Sequence, residues 1–127
     1  MADQKLSKEQ RAAIVRDFEM ALRAALAEAD QQTAVVSKHM FGGAGFYGDG
    51  EFFAAWFGDD SLHLKLSEAD RIALAKLTGV NHKPEDGQYI LLPRTWLDDS
   101  QRSGVWVARS VQYAHSLSKS KGKRKAK

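Results

Sequence analysis

The sequence predicts an α+β fold: an antiparallel β-meander with a long N-terminal helix, a middle helix and a C-terminal helix packed on it. Three observations carry that expectation. Ile14, Phe18, Leu22, Ala25, Leu26 and Ala29 repeat at helical spacing. Asp49-Gly50 is a preferred hairpin pair and has alternating residues on both sides. Val107, Val111, Ala114 and Leu117 form a second helical stripe, with Trp106 and Tyr113 beside it.

The first helix should span residues 7–30. Ser7 is placed to cap it, and Gln10 completes a capping box. Ala34, Val35 and Val36 favour a short strand. A glycine-rich loop follows and feeds the hairpin. With Asp49-Gly50 as the bend, Gly48 faces Glu51, Tyr47 faces Phe52, Phe46 faces Phe53 and Gly45 faces Ala54. A second bend at Asp59-Asp60 sets Phe57 against Leu62, Trp56 against His63, Ala55 against Leu64 and Ala54 against Lys65.

Opposed residues share a sheet face, and faces alternate along a strand. One face then carries Phe46, Phe53, Ala55, Phe57, Leu62, Leu64 and Leu66, and is the expected core. The other carries Tyr47, Phe52, Ala54, Trp56, His63 and Lys65, a mixture of rings and cations. A one-residue slip would exchange the two sets. Two arrangements of the second face are open. It is either exposed for binding, or covered by a helix with Lys65 reaching to the edge.

Beyond the sheet hairpins, Ser67 and Asp70 can cap a helix over 68–77 that Gly79 stops. Residues 88–92 read as a strand closed by Pro93, and 93–100 as a turn region. The last helix should cover 101–117, with Gly104 weakening its first turn.

At 127 residues the chain suits one domain, expected over 1–118, followed by a disordered basic tail over 119–127. The hydrophobic share of 43% is enough for a core without staples. The absence of cysteine excludes disulfides, thiolate metal sites and a thiol nucleophile. No apolar run suggests a signal peptide or a membrane span, so a cytoplasmic location is expected. Net charge is +3, and the tail alone holds six cations: Lys119, Lys121, Lys123, Arg124, Lys125 and Lys127. Removing those six leaves −3 for the rest, so the basic character belongs to the tail.

Residues 43–48 match G-x-G-x-x-G, but an Asp-Gly bend follows where a dinucleotide site needs a helix. The glycines are therefore read as shaping the loop and hairpin, although Gly42 and Gly43 retain the option of an anion nest. His39, His63, His82 and His115 lack metal-site spacing. The acidic pairs Asp59-Asp60, Glu85-Asp86 and Asp98-Asp99 fall in turns, where they solvate or cap. No catalytic residues, metal or cofactor are expected.

Met40, Phe41, Gly42 and Gly43, then Gly45, Phe46 and Tyr47, Asp49-Gly50, Phe53-Ala54, the Leu62-to-Lys65 strand, Tyr89 to Pro93 and Trp106 together resemble the TfoX N-terminal domain family of bacterial proteins linked to competence regulation. The resemblance implies an antiparallel sheet with flanking helices and brings no established catalytic residues. Members with two domains carry a second, helical one, whereas this chain has the lysine tail.

The expected function is that of a small non-enzymatic regulatory or adaptor protein. Its partner-binding candidates are Met40, Phe41, Gly42, Gly43, Tyr47, Phe52, Trp56, His63 and Lys65, and its partner would be a protein. One alternative is an accessory nucleic-acid binder using the six tail cations. Another is an enzyme with a site near His39, Gly42 and His63.

Overall fold

The computed structural model describes residues 7–40, 43–58, 62–80 and 87–125. Helix α1 (Lys8–Glu28) begins as its sequence predicts. The Gln10 amide donates to Ser7 Oγ, and the Ser7 amide donates to Gln10 Oε1. This reciprocal pair satisfies two of the donors that a helix start leaves open. Val15, Phe18, Leu22, Ala25 and Leu26 form its buried stripe.

Five strands follow: β1 (Val35–Met40), β2 (Gly43–Gly48), β3 (Glu51–Trp56), β4 (Leu62–Lys65) and β5 (Tyr89–Leu92). They form one antiparallel sheet in chain order. Helix α2 (Glu68–Thr78) lies between β4 and β5, capped by Ser67 and stopped by Gly79 in the left-handed conformation. A short helix, α3 (Arg94–Leu97), occupies the expected turn region and buries Trp96 and Leu97.

The last helix, α4 (Ser100–Lys125), is longer than its apolar stripe predicts. Asp99 starts it, accepting at Oδ1 from the Arg102 amide. Its backbone stays helical over 119–125, where composition predicts disorder. Lysine and arginine are good helix formers and favour the negative end of the helix dipole. Gly104 has a role that propensity alone does not reveal. A Cβ there would lie 2.8 Å from the Ala25 carbonyl oxygen, so its absence lets α4 press against α1.

The first bend forms as expected. Asp49 (φ 48°) and Gly50 (φ 89°) are both left-handed. Asp49 also ties the bend to the entry of β1. Its Oδ1 accepts from the Ala34 amide, and its own amide donates to the Ala34 carbonyl.

Two corrections apply beyond that bend. Tyr47 pairs with Phe52, but Phe46 pairs with Ala54, so Phe53 is an extra residue in β3. This is a β-bulge. Trp56 then pairs with Leu62, Ala55 with His63 and Ala54 with Leu64, one step away from the expected pairing. The second connection is therefore longer than the predicted two-residue turn, and its Asp59-Asp60 centre lies outside the described residues. Phe46, Phe53, Leu62, Leu64 and Leu66 are core residues as expected. Ala54 and Trp56 join them, whereas Ala55 turns to the other face and Phe57 is 60% exposed.

One core cluster unites the helix-side sheet residues with buried residues of all four helices. Phe18 sits at its centre, with its ring edge-on to Phe46 at 6.3 Å and tilted to Trp56 at 6.4 Å. The described helices thus all serve one face of the sheet.

Candidate functional site

The opposite face follows from the strand register. Val36, Tyr47 and Phe52 line up across β1, β2 and β3. Lys38, Gly45, Ala55, His63 and Leu91 form a second row across all five strands, and Lys65 pairs with Tyr89. No described helix contributes to this face, and its small residues Gly45 and Ala55 lie between larger neighbours.

The rings on this face touch one another. Tyr47 meets Phe52 edge-on at 5.4 Å, and Phe52 meets Tyr89 at 6.1 Å. Lys38 Nζ lies 4.9 Å from the Tyr47 ring centroid, within cation–π range. In the adjoining row, Phe57 packs edge-on against His63 at 4.9 Å. Burial, and then the neighbouring Tyr47, push the Tyr89 phenol above its ordinary 10.0. The result is an aromatic band flanked by cationic side chains, suited to flat or apolar groups that carry negative charge.

Tyr47, Phe52, His63 and Lys65 are thus brought together as the sequence predicts. Trp56 is not among them. It is 1% exposed and packs beneath the sheet against Phe18, so its ring has no surface to offer a partner. The bulge at Phe53 is the physical cause of that inversion. Gly43 is a steric requirement, since a Cβ there would lie 2.0 Å from the Trp56 carbonyl oxygen. Phe41 and Gly42 lie outside the described residues, as does the side chain of Met40. The side chains of the tail cations do too.

Sequence reasoning missed Val36, Lys38, Phe57, Tyr89 and Leu91 on this face. Lys38 and Tyr89 were findable from alternation within their own strands, while Phe57 was hidden by the slipped pairing.

His39 and His63 do not meet. Their strands are three spacings apart, roughly 14 Å, and His39 shares its register row with the core residues Ala44, Trp56 and Leu62. Among the described residues, no group of three or more potential metal ligands is present, and no helix is long and apolar enough to cross a membrane. His115 Nε2 lies 3.0 Å from the Gly48 carbonyl oxygen, a contact that joins α4 to β2.

A five-strand meander with helices on one face and an aromatic band on the other defines a small α+β domain. The chain belongs to the TfoX N-terminal domain family, which matches residues 24–114. No curated protein and no solved structure matches it.

Proposed function

We propose that this protein is a non-enzymatic regulatory adaptor that acts in the cytoplasm by binding a protein partner through the open sheet face. The role in competence regulation that the family resemblance implies is one setting for such an adaptor. One observation carries the reading: Lys38, Tyr47, Phe52 and Tyr89 form a connected ring-and-cation band on the face that the described helices leave to other contacts. Tyrosine is among the side chains that most often dominate interfaces, and this band holds two. The fitting partner presents apolar side chains with nearby carboxylates.

The test is affinity capture with the full chain, comparing it with the Tyr47→Ala/Phe57→Ala double variant. A partner retained by the parent and lost from a folded double variant supports the reading. Equal capture by both removes its basis.

A second reading uses the tail. The helical backbone of 119–125 extends α4 through the positions of Lys119, Lys121, Lys123, Arg124 and Lys125. Such a cationic extension would bind nucleic acid without sequence preference and with a steep salt dependence. Removing residues 119–127 should abolish that binding, and binding that survives the deletion refutes it.

A further inference from the structure

We infer that the cleft between the first turn of α1 and the far end of β1 is a binding site for a small organic phosphate. Helix α1 runs antiparallel to β1. Arg23 Nη2 donates to the Val35 carbonyl, and Ser37 Oγ donates to Glu19 Oε1. The same direction carries the start of α1 to His39. There a cavity of about 450 Å³ has Lys8, Arg11, Ala12 and His39 in its wall among the described residues. That volume lies within the roughly 300–1,000 Å³ typical of small-molecule sites.

Two features point to an anion. Among the described residues, the side chains of Lys8 and His39 are exposed and that of Arg11 half-buried, and none of the three makes a hydrogen bond or ion pair, whereas on the same helix Glu19 uses both carboxylate oxygens and Arg23 uses its Nη2. Lys8 and Arg11 also stand in the first turn, where the helix dipole disfavours cations. The capping box already occupies the amides of Ser7 and Gln10, so the side chains supply the charge. Two permanent cations with an imidazole beside them match a doubly charged phosphate better than a single carboxylate. The Ala12 methyl and the aliphatic stems of Lys8 and Arg11 suit an apolar body attached to it.

This site lies on the helix side of the sheet and is independent of the partner-binding face. Phenyl phosphate is the probe, titrated into the full chain while the amide resonances of residues 8, 11 and 39 are followed by NMR. Inorganic phosphate and phenol are the component arms. Saturable shifts at those three positions are expected. Affinity should fall roughly tenfold or more in Lys8→Gln/Arg11→Gln, as for loss of charged hydrogen bonds. The double variant should melt no lower than the parent, because it removes cations from the dipole's positive end. Tyr47→Ala/Phe57→Ala should bind phenyl phosphate as the parent does. The assignment is overturned if residues 8, 11 and 39 do not respond. Binding undiminished in the double glutamine variant overturns it as well. Inorganic phosphate binding as tightly as phenyl phosphate would mean an adventitious ion only, and would also end the assignment.

Discussion

The Ser110 hydroxyl of α4 lies 2.8 Å from the carbonyl oxygen of Phe53, the extra residue of the β3 bulge. The same hydroxyl is 2.8 Å from the Lys65 carbonyl oxygen on β4. A bulge leaves ladder groups unpaired, and a buried carbonyl without a donor is costly. Ser110, itself fully buried, shares one proton between the two. Helix α4 thus holds the irregularity that inverts β3. Ser110→Ala should destabilise the fold by about 1–3 kcal/mol, read as a lower urea midpoint with an unchanged slope. A neutral result would show that the bulge is held by packing alone.

Trp56→Ala should behave as a core truncation. Losing a fully buried indole costs about 3–5 kcal/mol, enough to threaten a domain of this size. Phe57→Ala, one residue further on and exposed, should change stability by less than about 0.5 kcal/mol. Thermal denaturation of the two variants separates the observed pairing from the one-residue alternative, which reverses their order.

Two glycines should differ in their intolerance of alanine. At Gly43 the added methyl meets the Trp56 backbone carbonyl oxygen at 2.0 Å. At Gly104 it meets the Ala25 carbonyl at 2.8 Å. Overpacking costs about 1–3 kcal/mol, but alanine returns about 1 kcal/mol of helix propensity at position 104. Gly104→Ala should therefore lose about 0–2 kcal/mol, and Gly43→Ala clearly more. Equilibrium unfolding of both variants checks the order.

The Tyr89 phenol titrates late because burial, then Tyr47, disfavour its ionised form. The folded value lies above the unfolded one, so the neutral phenol's contribution is complete below pH 10.0 and is lost as pH rises through the folded value. Stability should fall in that alkaline window, and Tyr89→Phe should flatten the fall. Denaturant midpoints measured from pH 8 upward provide the check.

Helix starts, helix stripes and the first bend were legible because each rests on local chemistry. Ser7 and Gln10 cap wherever the helix packs, and Asp49-Gly50 adopts left-handed angles that few other pairs tolerate. Strand β4 was legible too, since Leu62 and Leu64 alternate with His63 and Lys65. Strand β3 was not. Phe52 to Phe57 is apolar at every position, so alternation cannot set its register. The bulged residue's carbonyl also accepts its hydrogen bond from Ser110, 57 residues away along the chain. For the candidate site, the residues on β2 and β4 were therefore readable, while Trp56 and Phe57 exchanged places. The Lys8, Arg11 and His39 cleft was hidden because it joins two elements whose antiparallel approach no local pattern encodes.

The seam between α1 and α4 has a bearing on synthesis. Neighbouring strands are also neighbours in time, so a nascent chain can assemble the sheet in the order it leaves the ribosome. Part of the greasy underside nevertheless waits for α4, which emerges after the other described elements. Translation halted before Val107 and Val111 would leave Phe53 and its surroundings naked, a clear mark for chaperones and proteases.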